Sequence, residues 1–169
     1  LVFEVKKVTG NAYLDFPVGK SAIQPDFRNN AAELAKIRGT LDSLIQAKNV
    51  RVRGITLVGY ASPEGSTQLN DRLSAERADA LKAYLLQNYK KGDPGLISAR
   101  SGGEDWNGLR SLVAASSIRG KEALLEILDS DASDAAKKAS IKALNGGATY
   151  ATLLKDYYPR LRKVEYTID

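Results

Sequence analysis

The chain has 169 residues, of which 25 are basic and 20 acidic, for a formal net charge of +5. This length suffices for one domain with a sizeable core, and the basic residues are interspersed with acidic ones, which indicates a solvated surface and no nucleic-acid-binding face. The chain contains no Cys and no His, which excludes disulfides, Ser-His-Asp and Cys-His catalysis, and the commonest metal ligand.

No apolar run approaches the roughly 20 residues that a membrane-spanning helix requires, so we expect no membrane insertion by this chain. No motif indicates a bound metal or cofactor, and we expect neither. No repeat or linker divides the sequence, which predicts a single domain over residues 1–169. The first residue is Leu1 and not Met, and we expect either a processed protein or a domain excised from a longer one.

The first third of the chain changes from strand-like to helical periodicity and back. Apolar residues at every second position predict strands at 1–5 and 12–16, separated by a turn at Thr9–Asn11. Apolar residues three and four positions apart then predict a helix at 26–47. A segment that is apolar on both faces, at 54–59, predicts a central strand.

The middle of the chain continues this alternation. A loop rich in Gly, Ser and Pro follows at 59–65, and Ser66 is placed to cap a helix over 67–89. A short strand at 96–100 then leads into a glycine-rich turn. From there, apolar spacings of three and four predict helices throughout 105–158.

The C-terminal segment 163–168 alternates again and predicts a last strand, whose apolar face would be exposed unless it joined the sheet. The order of elements is typical of an α/β fold, an α+β sandwich with one mixed sheet. We expect the helices at 26–47 and 67–89 on one face of it. The last strand should lie in the same sheet as the strand at 54–59.

The helix predicted at 67–89 departs from a simple hydrophobic pattern. On a helical wheel its apolar side chains form one arc, which contains Leu69, Leu73, Ala80, Leu81, Tyr84 and Leu85. Asn70, Ser74 and Arg77 lie on one line within this arc, where a guanidinium is costly unless an anion meets it. Two interpretations remain open. Arg77 pairs with an internal carboxylate or backbone carbonyls, or it lies at the mouth of a groove beside 59–66 and receives the carboxylate of a ligand.

The residues around this helix resemble a known family signature. The strand Ile55-Thr56-Leu57-Val58-Gly59, the loop ending in Gly65-Ser66, and the helix motif Asn70-x-x-Leu73-Ser74-x-x-Arg77-Ala78 are similar to OmpA-like C-terminal, peptidoglycan-associating domains. Weaker matches follow the family order, at Tyr13–Phe16, Ser101–Glu104 and Arg162–Glu165. The resemblance covers most of the chain except about 105–159, which is therefore expected to be a helical insertion.

The loop at 59–65, together with Glu104-Asp105-Trp106 and the segment at 158–162, resembles a Bacteroides-type subgroup of secreted envelope proteins. Members of that subgroup often carry an additional N-terminal region. The resemblance implies a βαβαβ-type mixed sheet with helices on one face. It also implies a location in the periplasm or at the outer membrane.

The resemblance further implies non-catalytic binding of the peptidoglycan stem peptide, which anchors an envelope protein. In the family, a loop Asp and a helix Arg hold the ammonium and carboxylate groups of diaminopimelate. Arg77 matches that Arg, whereas Ser62 stands at the Asp position and Tyr60 at a His position. The candidate ligand-binding residues are therefore Tyr60, Ala61, Ser62, Glu64, Asn70, Ser74 and Arg77.

Ser62 supplies no countercharge for an ammonium group, which predicts weak or absent binding of diaminopimelate-type peptides. Glu64 either replaces that charge or is a solvated loop carboxylate, and we expect the solvated state. An alternative function is a protein-interaction module that has lost this ligand and binds an envelope protein through Trp106, Tyr157 and Tyr158. An enzyme would depend on carboxylates such as Glu64, Glu104 and Asp105, but no motif links them to a reaction, and we expect none.

Overall fold

A four-stranded mixed sheet organises the computed structural model, which describes residues 6–16, 21–47, 49–88 and 94–169. The strands are β1 (Val8–Ala12), β2 (Ile55–Ala61), β3 (Ile97–Glu104) and β4 (Val164–Ile168). Their order is β1-β4-β2-β3, with β4 antiparallel to both of its neighbours and β2 parallel to β3. The mixed sheet predicted from the sequence is confirmed, and the C-terminal strand lies beside β2 as expected.

Two long helices, α1 (Asn30–Gln46) and α2 (Thr67–Asn88), pack against the sheet and share one hydrophobic core with it. Burial of these apolar side chains is the main favourable contribution to folding. The buried residues at its centre are Leu34, Ile37, Leu41, Leu57, Leu81, Leu85, Val164, Tyr166 and Ile168. The expectation that both helices cover the same face of the sheet is met. In the part of the chain that the structure describes, no helix is long and apolar enough to cross a bilayer.

The segment between β3 and β4, which we call the helical region (residues 105–161), is helical, as predicted. It contains α3 (Trp106–Ala114), α4 (Lys121–Asp129), α5 (Asp134–Ala143) and α6 (Ala148–Thr152), followed by a π-helical turn and a 3-10 turn that ends at Leu161. These helices have a separate core, which contains Leu109, Val113, Leu124, Ile141, Leu153, Tyr158 and Leu161. Tyr158 is fully buried there, and burial raises the pKa of its phenol.

The N-terminal prediction was wrong at Thr9–Asn11, which is the middle of β1 and not a turn. Gly10 pairs with Tyr166 of β4, and a Cβ at Gly10 would lie 2.2 Å from the Tyr166 hydroxyl. The glycine therefore makes room for a cross-strand ring, a role that local sequence cannot distinguish from that of a turn glycine. The strand predicted at 1–5 lies outside the described residues.

Residues 13–16 were predicted as a strand but are held by side chains of α1. The Tyr13 amide donates to Glu33 Oε1, and the Asp15 backbone exchanges two hydrogen bonds with the Asn30 amide. Asn30 also donates to the Gln24 carbonyl at 3.0 Å. The helix therefore begins at Asn30, and residues 26–29, which were predicted as its first turn, form non-helical turns.

The loops predicted after β2 and β3 are shorter than expected, because both strands continue beyond their predicted ends. β2 extends to Ala61, with the Tyr60 amide bonded to the Lys163 carbonyl, and β3 extends to Glu104. The Asp105 amide then donates to the Ala61 carbonyl at 2.9 Å. Tyr60 and Ala61 are thus fixed in the sheet, and the loop proper begins at Ser62.

The N-terminal half of α2 approaches β2 closely at Gly59. A Cβ at this position would lie 2.0 Å from the Ser74 carbonyl oxygen, so only glycine permits this helix–strand distance. The contact places the first turns of α2 directly over the carboxyl end of β2.

We expect Gly59→Ala to lower the free energy of unfolding by about 1–3 kcal/mol, because the added methyl must displace backbone and not a flexible side chain. The matched control is Gly39→Ala in α1, where a Cβ meets no atom within 4 Å. That change should stabilise the protein by roughly 0.5–1 kcal/mol. Urea denaturation measures both, and a neutral Gly59→Ala would contradict the close approach of α2.

Candidate functional site

The buried side of α2 differs in part from the wheel prediction. Its buried line is formed by Asn70, Ser74, Ala78, Leu81 and Leu85, so the two polar residues do face inward as predicted. Leu69, expected in the apolar arc, is 42% exposed, and that part of the prediction was wrong.

Asn70 ties the start of α2 to the loop that follows β2. Its Nδ2 lies 2.7 Å from the Glu64 carbonyl oxygen, 3.3 Å from the Ser62 carbonyl oxygen and 2.8 Å from Glu104 Oε2. All of these acceptors belong to the protein itself. Asn70 therefore positions the loop and has no amide hydrogen left for a ligand.

Ser74 joins α2 to β3 one turn further along. Its hydroxyl donates to the Asp71 carbonyl and lies 2.6 Å from Ser101 Oγ. A hydroxyl has one proton to donate, so Ser101 is the donor in that pair and accepts in turn from the Gly103 amide. Ser74 is fully buried, which makes it a packing residue beneath the site.

Arg77 lies half-buried at the edge of the buried line. Its Cζ stacks 4.8 Å from the centre of the Phe16 ring, and its buried Nε has no hydrogen-bond partner among the residues that the structure describes. Burial lowers the pKa of the Arg77 guanidinium and the nearby charge of Arg162 lowers it further, partly offset by Asp15 and Glu76.

Neither carboxylate near Arg77 pairs with it. Asp15 is paired with Arg28 and Glu76 with Arg72, each at 3.9 Å. The expected oxygen within hydrogen-bond distance of the guanidinium is therefore not found among the described residues, and the internal-pair interpretation is not realised there. The inward placement of Arg77 stands, with ring stacking in place of an ion pair.

Ser62 and Glu64 are both engaged by Arg162, a residue that the sequence reasoning did not select. Arg162 Nε donates to Ser62 Oγ at 3.2 Å, and its Nη2 forms an ion pair with Glu64 Oε1 at 2.5 Å. The Ser62 hydroxyl in turn donates to the same carboxylate oxygen. The prediction that Glu64 is solvated was wrong, because half-burial and this ion pair hold it inside the site.

Arg162 lies just before β4, at the end of the sheet where β2 finishes. Since β4 is antiparallel to β2, the start of β4 meets the carboxyl end of β2. The match of Arg162–Glu165 to a family motif was the signal that could have identified this arginine.

Lys163 and Tyr60 complete the rim of the site. Lys163 Nζ lies 5.4 Å from the centre of the Tyr60 ring and 3.2 Å from Asp105 Oδ2. Over the described residues that oxygen has no hydrogen bond of regular geometry, so its contact with Lys163 is an ion pair. Burial raises the pKa of the Tyr60 phenol.

A small cavity of about 10 Å³, which we call the Arg77 cavity, lies among these side chains and is large enough for roughly one water molecule. It is lined by Leu14, Phe16, Tyr60, Arg77, Arg162, Lys163 and Val164. A larger groove of about 450 Å³ lies at the opposite end of the sheet, beside Val8, Val52 and Ile168, and contains none of the predicted site residues.

A lysine from the helical region reaches the same loop from the other side. Lys138 Nζ in α5 bonds to Glu104 Oε2, to Thr67 Oγ1 and to the Gly65 carbonyl. The Glu104 side chain is only 2% exposed and that of Lys138 12%. These partners are 34 to 73 residues away in sequence, so no local pattern predicted the contact.

The three carboxylates considered for catalysis all have structural partners. Glu64 pairs with Arg162, Glu104 pairs with Lys138, and Asp105 caps α3 by accepting from the Gly108 amide at 2.9 Å. Over the described ranges, no group of three or more Asp or Glu side chains is placed to hold a metal ion.

Replacing Lys138 by Met should lower the free energy of unfolding by roughly 3–5 kcal/mol, because Glu104 would remain buried without its cation. The matched control is Lys155→Met, at an exposed position of the same helical region, which should change stability by less than about 0.5 kcal/mol. Chemical denaturation followed by Trp106 fluorescence measures both. Equal stabilities of the two variants would show that the buried pair does not hold the helical region to the loop.

The chain is related to known proteins by its structure and by a family sequence match. The OmpA-like domain of FopA1 from Francisella tularensis superposes with a TM-score of 0.46 at 16% identity, covering 95% of this chain and 71% of that one. No curated protein matches the sequence. Residues 16–108 match the OmpA family, a range that contains α1, β2, α2 and β3 and more than half of the chain. The predicted resemblance is confirmed, and the protein belongs to the OmpA family.

Proposed function

We propose that this domain is a non-catalytic module of the bacterial envelope, which binds the peptidoglycan stem peptide and anchors a periplasmic or outer-membrane protein. The observation that supports this proposal is Arg77, a half-buried guanidinium at the carboxyl end of β2 whose Nε has no hydrogen-bond partner in the described part of the chain. An unpaired buried donor is unfavourable, and a ligand carboxylate would provide a charge-assisted hydrogen bond. The net charge of +5 adds a mild attraction to an anionic polymer.

A catalytic role has less support, because the three carboxylates that an enzyme would need already have partners within the protein. The protein-interaction alternative is also weakened. Of its expected anchors, Tyr158 is fully buried, and Trp106 and Tyr157 pack against the core of the helical region. Assignment to a Bacteroides-type subgroup stays a prediction.

We also propose that residues 1–169 form one domain in which about 105–159 is an insertion. In support, β4 follows the helical region in sequence yet lies between β1 and β2 in the sheet. Trp106 is the only tryptophan and belongs to the helical region, so its fluorescence reports on that core. On heating, we expect the change in Trp106 fluorescence to occur at the same temperature as the loss of circular dichroism, which reports on the secondary structure of the whole chain. Two separated transitions would contradict a single domain.

Arg77→Ala should abolish sedimentation with purified sacculi, because it removes the guanidinium that receives the ligand carboxylate. It should change stability by less than about 1 kcal/mol, since only a ring contact and no ion pair is lost. The matched control is Arg72→Ala on the same helix, where the side chain is 68% exposed, and this variant should sediment like the parent protein. Retained sedimentation of Arg77→Ala would overturn the proposed function.

A further inference from the structure

The charges around the Arg77 cavity are unevenly compensated. Arg162 is paired with Glu64, and Lys163 is paired with Asp105. Arg77 lines the same cavity and, among the described residues, has neither an ion pair nor a hydrogen bond. Within the described residues, the cavity therefore presents one cation that lacks an ion pair, Arg77, together with two paired ones.

The loop side chains beside this cavity, Ser62 and Glu64, are already engaged by Arg162, which lines it. A free amino-acid end carries an ammonium and a carboxylate, and its ammonium requires an acceptor close to Arg77. Glu64 is the only carboxylate in the loop at 62–66, and Arg162 neutralises it through the ion pair to Oε1 at 2.5 Å while contacting Ser62 Oγ at 3.2 Å. An incoming ammonium would have to displace a guanidinium bound through two nitrogens, with like charges of Arg77 and Lys163 nearby.

An uncharged amide beside the carboxylate avoids this conflict. At a peptide C-terminus the nitrogen next to the carboxylate is acylated, so it carries no charge and requires no anionic partner. The residues around Arg77 then need only to supply donors to the carboxylate, and the Arg77 guanidinium has them.

We propose that Arg162 is a specificity-determining residue that fills the cation position of this site. Arg77 thereby accepts carboxylates whose neighbouring nitrogen is an amide, as at a peptide C-terminus, and discriminates against free amino-acid ends. This inference rests on the proposed function, because it assigns the ligand class of the same site.

Three small probes test the inference without the polymer: N-acetyl-alanine carries the carboxylate alone, alanine is the zwitterion, and alaninamide carries the ammonium alone. Their affinities are measured by titration of the NMR signals of Phe16 and Arg77. We expect the parent protein to bind N-acetyl-alanine about tenfold or more tightly than alanine, and alaninamide not at all. Equal binding of alanine and N-acetyl-alanine, or no binding of either, would overturn the inference.

Arg162→Gln should reduce that preference to less than about threefold, because Glu64 becomes free to accept an ammonium. Arg160→Gln is the matched control at an exposed position two residues earlier, and should retain the full preference. An unchanged preference in Arg162→Gln would overturn the assignment.

Glu64→Gln provides a second test if loss of Arg162 prevents folding. It releases Arg162 from its ion pair while the guanidinium stays in the cavity, so N-acetyl-alanine should bind more tightly and alanine should stay weak. Tighter binding of alanine would contradict the proposal.

Sacculus sedimentation separates the two proposals. If the parent protein sediments with sacculi and Arg77→Ala does not, while alanine and N-acetyl-alanine bind with equal affinity, only the ligand class is overturned. A full preference for N-acetyl-alanine without sedimentation would overturn only the envelope function.

Discussion

The buried carboxylate of Glu104 is the group on which the arrangement of the loop, α2 and the helical region depends. It lies at the end of β3 and accepts hydrogen bonds from Thr67, Asn70 and Lys138. Burial of a carboxylate is strongly unfavourable unless a cation and further donors meet it. The observed placement of α2 and α5 supplies all three donors, and the same placement holds the loop carbonyls that Asn70 and Lys138 contact.

The parts of the fold that were predictable have local patterns. The periodicity of α2, the alternation of β4 and the helical spacing between β3 and β4 are each visible within one segment. The N-terminal prediction failed because its determinants are distant. Gly10 adopts strand geometry beneath a tyrosine of β4, and residues 13–16 bond to side chains of α1 and not to a strand. Local periodicity carries no information about such partners.

In the candidate site, too, the features set by local pattern were predictable and those set by distant residues were not. The inward position of Arg77 followed from the wheel, because the spacing of three and four residues is a property of the helix alone. The state of Glu64 could not be derived in that way, since its partner Arg162 is 98 residues further along the chain. Arg162 changes the chemistry of the loop, because a carboxylate that would otherwise attract an ammonium is neutralised internally. The charges of Glu64 and Arg162, which a sequence comparison would count as available to a ligand, are thus paired with each other.

The contact between Lys138 and Glu104 determines how this domain can be shortened. A version that joins β3 directly to β4 would remove the helical region, and with it the only cation bonded to Glu104 in the described part of the chain. The carboxylate would then lack its cation, which is unfavourable unless the loop opens and lets water reach it. Replacing Glu104 by Gln in the same step would keep an acceptor for Asn70 without the charge. A minimal domain therefore requires this substitution together with the deletion.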